Sequence, residues 1–523
     1  MRRRNRRKNR MRKHCEKKCY LGPLSAKERN EKAFTIRYEA AEDQRNAHLS
    51  RPVCNGDEWL YPKKIANFSK GLPHNSLGEV DMNSYNRYIK ALNSGKVSDF
   101  NSIPMGGPVK LSNPQAAYAL DLIGSDSHKM NLAVPPTFSS AWQAGEMAEV
   151  YWQALTRDVS FSEYSRNPLT KAAAAELSRL SDFRGPKSNG EVTTETLFRG
   201  NTPGDLAGPY ISQFLWKDIP FGAKTITQQY RTTLPDSYHL TSYDAWLNIQ
   251  NGGSSEAPKY DLKSRYIRNG RDLSAYVHQD FSYQGPLSAC LILLSFGKEA
   301  IAQTNPYMNS ATEGGFVTFG AAHILDLVAK VTRAALEAAW CQKFLIHRRL
   351  RPEEFGGRVH NHLTGETCYP FHKELLESQV VQQTFKQFGT YLLPMAYPEG
   401  CPTHPAYPAG HACLAGAGAT VLKAFFNENF HIPNPVEANS DGLSLIPYGD
   451  TPLTIGGELN KLASNIALGR DTAGVHWRSD GIEGLKLGET VAIEILKDYS
   501  KTYNERFCGF TLTKFDGTTI TIK

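Results

Sequence analysis

The sequence predicts a mainly α protein built of helical bundles with minor β hairpins, and three observations predict it. Apolar residues recur at helical spacing over long stretches, above all from Ala321 to about His347, where Ile324, Leu325, Val328, Val331, Ala335, Leu336 and Ala339 share one stripe. Alanine-rich helix formers, such as PAGHACLAGAGATVLKAF from Pro408 to Phe425, are set off by proline- and glycine-containing connections. Strand-like alternation is confined to short pieces. It is clearest at the end of the chain, where TLTKF and TTITIK flank Asp516-Gly517 and read as a hairpin with a two-residue turn.

Taken in order, residues 1–32 read as a basic, flexible arm. Residues 1–18 carry eleven Lys and Arg against the single Glu16, so the formal charge of +8 belongs to this tail and the remainder is close to −2. Residues 33–270 read as a helical scaffold and oligomer half, with helices over Ala141–Ala154 and Lys171–Leu180. Residues 271–500 read as the chemical half. There Arg271 to Gly297 is predicted as one long helix, followed by a loop near Gln303–Gly315 and the Ala321 helix, which Pro352 stops. Further helices are predicted over Glu458–Gly469 and Gly484–Tyr499, and residues 501–523 form the hairpin tail. No apolar run approaches the roughly 20 residues of a membrane helix, and no hydrophobic region of a secretory signal follows the basic start. The nine cysteines are scattered, without paired CxxC clusters, and read mostly as reduced thiols; Cys15 and Cys19 are the pair placed to link chains.

Three separated pieces carry chemistry. The first is KFLIHRRLRP, with Lys343 near a helix end and Arg351 before Pro352, where the α region is disfavoured and the arginine turns away from the helix. The second is HPAYPAGH, from His404 to His411, where Gly410 and His411 open a helix whose free N–H groups and dipole suit an oxyanion. The third is GRDTAGVHWRSD, with Arg470, His476 and Asp480. Arginine forks bind tetrahedral oxyanions in pairs of hydrogen bonds and lysine adds a compact charge, so the set reads as an oxyanion site. With a helix starting near Val475, Asp480 shares a face with His476 and takes its Nδ1 proton, freeing Nε2 as a ligand or nucleophile. His347, Arg348 and Arg349 read as surface or interface groups, and His360 and His362 as a solvated loop. Asp280 reads equally as a support of the site or as a helix-terminal charge.

Lys-x7-Arg-Pro, Pro-x-Gly-His and Arg-x5-His-x3-Asp together resemble the vanadium-dependent haloperoxidases, whose site is shared with type-2 phosphatidic acid phosphatases. WCQKFLIHRRLRPEEFGG, HPAYPAGHA and NIALGRDTAGVHWRSDGIEGLKLGE, with the earlier FSKGLPH, LFRGNTPGDLAGPYISQFL and DLSAYVHQDF, are similar to the bromoperoxidases of red algae and their cyanobacterial relatives. The resemblance spans about residues 60–500. It implies two four-helix bundles as the core and a large homo-oligomer, dodecameric in algal relatives. It also implies a bound vanadate that phosphate can replace, and in some relatives calcium, for which no complete ligand set is matched here. His476 would bind vanadium; Lys343, Arg351, Arg470 and the Gly410 amide would hold its oxygens; His411 would be the acid–base. His404 would lie near the metal and Trp340 would line the halide pocket. Hydrogen peroxide, halide and small organic acceptors would be the substrates. One position departs from the pattern: Ala409 stands where the family motif carries serine, which predicts weaker vanadate retention. Two rivals remain at this level: an acid phosphatase with His476 as nucleophile, and an oligomeric polyanion-binding protein acting through the arginine-rich tail.

Overall fold

The structure, a computed structural model, describes residues 22–47 and 52–523. Its principal helices are α1 (Ala26–Asn46), α2 (Met82–Ser94), α3 (Ala141–Leu155), α4 (Pro168–Arg179), α5 (Tyr243–Gln250), α6 (Gly270–Gln279) and α7 (Gln284–Ser295). They continue with α8 (Ala321–Cys341), α9 (Pro352–Leu363), α10 (Gln379–Phe388), α11 (Gly410–Phe425), α12 (Ile455–Thr472) and α13 (Arg478–Ser500). The strands form antiparallel two-stranded hairpins: β1 (Ile219–Phe221) with β2 (Lys224–Ile226), β3 (Val436–Ala438) with β4 (Leu445–Pro447), and β5 (Phe510–Thr513) with β6 (Thr519–Ile522).

Local chemistry sets many of these ends. Ser140, Asn167 and Thr454 each accept a backbone N–H at the start of α3, α4 and α12, and Pro168 takes the first helical position of α4, where its missing N–H costs nothing. The single helix expected from Arg271 to Gly297 is broken into α6 and α7. Asp280 leaves the helix with ψ 145°, and Pro286 sits in the first turn of α7, where proline is tolerated as it is not in a helix interior. The C-terminal hairpin is present, but its loop runs from Lys514 to Thr518 and the register pairs Thr513 with Thr519. Gly517, at φ +83°, donates to the Lys514 carbonyl, closing a four-residue turn in place of the two-residue one. Part of the predicted basic arm is helical, since α1 begins at Ala26; residues 1–21, with Cys15 and Cys19, lie outside the described residues. Cys508 is disulfide-bonded, and the other described cysteines are free thiols.

At the centre lies α11, buried at every residue from Ala412 to Phe425. Glycines let it approach α13 backbone to backbone: a Cβ on Gly488 would stand 2.1 Å from the Cys413 carbonyl oxygen, and one on Gly416 would stand 2.4 Å from that of Leu485. One apolar core joins α6–α8, α11–α13 and the β5–β6 hairpin. A second joins α3–α5, α9 and α10 with the segments around Leu392–Ala406 and Ala473–Trp477. The packing therefore does not divide at residue 270, because α9 and α10 share the core of α3–α5. The start of α11 (Ala409, Ala412) belongs to the first core, while Ala406 and Trp477 belong to the second. Chain segments from both converge at that seam.

Candidate active site

Five local structures meet at the seam. After α8 the helix widens into a π turn, Gln342–His347, which carries Lys343 and ends at Arg348 with a left-handed φ of 40°. Arg351 is extended (φ −90°, ψ 158°) ahead of Pro352, the first residue of α9, as its place before proline requires. Arg470 lies in the last turns of α12. His476 falls in the short connection before α13, and α11 opens at Gly410.

The sequence-predicted residues come together here. Lys343 is fully buried, and its Nζ donates to the carbonyls of Pro405 and Ala406 at 2.7 Å each. Arg351 is equally buried. Its Nε donates to the His404 carbonyl (3.0 Å), Nη2 to His404 Nδ1 (2.9 Å), and Nη1 to the Val475 carbonyl (2.7 Å) and His476 Nε2 (2.8 Å). A guanidinium only donates, so His476 Nε2 and His404 Nδ1 are the acceptors, and each carries a lone pair there. Arg470 donates through Nη1 to the Val277 carbonyl, while its Nε is buried without a partner. Trp340 holds its ring 4.8 Å from that of His404, tilted by 38°, and stands 3.4 Å from where a Gly410 Cβ would be, so it walls the same space.

The His476–Asp480 contact forms, by a different route from the one the spacing suggested. α13 starts at Arg478, two residues after His476, so the pair does not share a helix face. Asp480 lies in the first helical turn, and its Oδ2 reaches back to His476 Nδ1 (2.8 Å) and to the Trp477 N–H (3.1 Å). Its other oxygen is held by Arg349 at 2.8 Å. Arg349 is buried, not a surface group, and also donates to Ser479, Gln143 and Glu146. The Asp480 carbonyl accepts from the Ala409 N–H (2.9 Å), tying α13 to the start of α11.

His411 is paired separately: its Nε2 lies 3.0 Å from Asp280 Oδ1, at the break between α6 and α7, and its side chain is 27% exposed. Of the remaining histidines, His347 packs against Tyr407 and is buried, and Arg348 pairs with Glu58. His360 and His362 end α9 and do not form a loop; their Nδ1 atoms accept from the Tyr391 and Tyr369 N–H groups respectively. Among the described residues no group of three or more His, Cys, Asp or Glu side chains is placed to hold a metal ion.

Electrostatics make the seam a place for an anion. Burial, reinforced by Arg351 and Arg470, holds the Lys343 ammonium well below its ordinary pKa. Burial also pushes Arg351 down to about 10. His476 and His404 are driven well below the usual imidazole range by burial and then by Arg351 and Lys343, so both are neutral. Lys343, Arg351 and Arg470 thus crowd one another with Asp480 as the near carboxylate, itself shared with Arg349, and an anion between them would favour their charged forms. At about 4 Å and an effective dielectric near 20, each anion–cation pair is worth roughly 4 kcal/mol. The orphaned Arg470 Nε, the lone pair of His476 Nε2 and the N-terminus of α11, which no side chain caps, together fit an oxyanion such as vanadate or phosphate. Ala409 is the residue at that cap position, with φ −70° and ψ 121°.

Sequence reasoning missed Arg349 and Glu146. A signal existed for the latter: Glu146 and Glu149 are the carboxylates of a helix with no other charge, and such charges need buried cations, which Arg349 and Arg478 supply.

The family model for the VCPO second helical-bundle domain matches residues 324–505. The chain is 36% identical to the vanadium-dependent bromoperoxidase of Ascophyllum nodosum over 96% of this chain and 95% of that protein. It is 34% identical to that of Corallina pilulifera over 94% of this chain and 98% of that protein. Among solved structures, the homohexameric second vanadate-dependent bromoperoxidase of Ascophyllum nodosum superposes with a TM-score of 0.91 at 30% identity, covering 97% of this chain and 93% of that one.

Proposed function

The chain belongs to the vanadium-dependent bromoperoxidase family, and from that premise we propose that its seam holds vanadate and oxidises bromide with hydrogen peroxide for the halogenation of organic acceptors. The observation that supports this most directly is the fixed lone pair of His476 Nε2 amid Lys343, Arg351 and Arg470. Asp480 accepts a hydrogen bond from the Nδ1 N–H, which makes Nε2 the metal-binding nitrogen once Arg351 Nη1, which donates to it here, turns to a vanadate oxygen. Lys343, Arg351, Arg470 and the Gly410 N–H would hold the oxygens. When bound, vanadate would supply Lewis-acid activation of hydrogen peroxide toward halide.

The remaining steps belong to the protein. Making hypohalous acid from halide and peroxide consumes a proton, and His411 is placed to move it. Asp280 takes the Nε2 side of the ring, leaving Nδ1 as the exchanging atom. His404 acts through Arg351, whose guanidinium it receives at Nδ1, and Trp340 bounds the approach of halide. A homo-oligomer is part of the proposal, supported by the homohexameric neighbour; sedimentation distinguishes a hexamer from the dodecamer expected from the algal resemblance. No helix among the described residues is long and apolar enough to cross a membrane.

The test is reconstitution. After dialysis against chelator in phosphate-free buffer, orthovanadate is expected to restore peroxide-dependent bromination, compared with chloride and iodide as alternative halides. Hydrolysis of phosphate monoesters without vanadate, and no bromination with it, would replace this reading with the acid phosphatase.

A further inference from the structure

Just behind the proline that extends Arg351, α9 opens on two consecutive glutamates, Glu353 and Glu354. Neighbouring carboxylates repel, yet both are buried, at 1% exposure each, so each needs its own donors. The FSKGLPH segment, residues 68–74, supplies them. It is led in alongside the chain that precedes Arg351: the Leu350 N–H donates to the Ala66 carbonyl (3.2 Å), and the Phe68 N–H to that of Arg348 (2.9 Å). Ser69 and Lys70, both buried, then meet the two glutamates.

Glu354 takes the backbone of Arg351. Its Oε2 reaches back to accept the Arg351 N–H (3.1 Å), and its Oε1 accepts from the Ser69 N–H (3.0 Å) and Ser69 Oγ (3.2 Å). The hydroxyl lies 2.9 Å from His74 Nε2, so the last residue of the segment backs the same contact. Glu353 takes the loop opposite. Lys70 Nζ lies 3.0 and 3.1 Å from its two oxygens and also donates to the Glu399 carbonyl (2.8 Å), while Glu353 Oε2 accepts the Cys401 N–H. A Cβ on Gly400 would stand 2.0 Å from that oxygen, so a side chain there would push the carboxylate off the turn. Residues 399–401 lead straight to His404, whose carbonyl and Nδ1 accept from the Arg351 guanidinium.

We infer that Ser69–Glu354 and Lys70–Glu353 form a two-by-two clamp that positions Arg351, one pair through its backbone and the other through His404. The inference rests on the vanadate site proposed above and goes further by naming the groups that aim one of its arginines. The fork of an arginine is rigid and its stem is not, so anchoring the stem's base and the fork's acceptor is what fixes its direction. Glu354 can do this only with two accepting oxygens. A glutamine there offers one and turns an NH2 group toward the other donor.

The experiment measures vanadate affinity by equilibrium dialysis, at a temperature where circular dichroism shows each protein folded. Glu354→Gln is expected to raise the vanadate dissociation constant about 10–100-fold. The control is Glu176→Gln, at another buried carboxylate, which accepts from Trp152 Nε1 (2.7 Å) and the Val380 N–H (3.1 Å). It should lower the melting temperature and leave the constant within about twofold of native. The deciding case is the double variant: on an Arg351→Met background, Glu354→Gln should add less than about threefold, because the side chain it acts through is gone. Should Glu354→Gln not fold, Ser69→Ala removes the hydroxyl alone and is expected to raise the constant about three- to tenfold. A native protein that binds no vanadate overturns the site and the clamp together. Native binding that the clamp variants leave unchanged overturns the clamp alone. So does a loss that persists in full on the Arg351→Met background or appears equally in Glu176→Gln, either of which would mean a general softening of the fold.

Discussion

His476 and His411 both lean on an aspartate, and the two pairs are built for different work. The His476–Asp480 pair is closed: both side chains are almost wholly buried, and the carboxylate is gripped on its far side by Arg349, which is gripped in turn by Glu146 and Gln143. Nothing in it can rotate without breaking several buried hydrogen bonds. The His411–Asp280 pair is open: its carboxylate comes from the end of α6, its imidazole keeps 27% of its surface in solvent, and no second cation clamps the aspartate. A ligand must hold one tautomer and one orientation, whereas a proton carrier must exchange with water. The two pairs differ in the way that the roles proposed for His476 and His411 require.

The largest effect that separates them is on vanadate itself. His476→Ala is expected to raise the vanadate dissociation constant at least about a thousandfold, some 4 kcal/mol, by equilibrium dialysis. His411→Ala should change that constant by less than about tenfold while lowering bromination turnover by about 10²–10⁴. If both variants lose vanadate equally, the division of labour is wrong.

The clamp gives a smaller effect on binding and a measurable one on folding. Arg349→Met leaves Asp480 and Glu146 buried without their cation, and breaking such a pair costs about 3–5 kcal/mol of stability. Loosening a partner behind a metal ligand costs about 10–100-fold in affinity. Asp280→Asn, at the open pair, should leave unfolding within about 1 kcal/mol of native. Urea unfolding of both variants checks the contrast, and equal destabilisation would erase it.

Acid separates the pairs again. The imidazoles of His476, His404 and His411 all sit below the ordinary pKa of 6.5 in the fold, chiefly through burial. The unfolded chain then binds more protons as pH falls, so the stability they support is whole above about 6.5 and is lost below it, at about 1.4 kcal/mol per pH unit for each histidine. Because Asp280 pulls the His411 value back up, its share should level off at a higher pH than those of His476 and His404. Unfolding of the vanadate-free protein between pH 7.5 and 5, with His411→Asn as the subtracted case, measures this; a stability that rises on acidification would contradict it.

Much of this was legible because the relevant signals are local. Helical spacing gave α8, and the step before Pro352 gave the extended Arg351, since both follow from neighbours in sequence. Charge type and spacing marked Lys343, Arg351, Arg470 and His476 as one set. What escaped depends on contacts far along the chain: Arg349 lies among four basic residues, and only the approach of Glu146, 203 positions away, decides that it turns inward. The break after α6 is half legible: Pro286 is a local signal against one continuous helix, but where the chain leaves it, at Asp280, is fixed with His411, 131 residues on.

The smallest expected effect concerns Ala409, where the family resemblance leads us to expect a serine. The residue caps α11 and offers no side-chain oxygen. Ala409→Ser adds a hydroxyl that, without an anion, would accept from a helix N–H and raise stability by about 1 kcal/mol. With vanadate present the hydroxyl would bond to a charged oxygen, an interaction worth about 1.5–3 kcal/mol, but only by leaving the cap. The gain in affinity is the difference between the two, about 0.5–2 kcal/mol or roughly two- to thirtyfold. The variant should therefore melt higher in the absence of vanadate and also hold vanadate more tightly, with the melting gain visible first. A higher melting temperature with unchanged vanadate affinity would show that the hydroxyl stays on the cap, and that the fixed side of the site, centred on His476, sets retention without it.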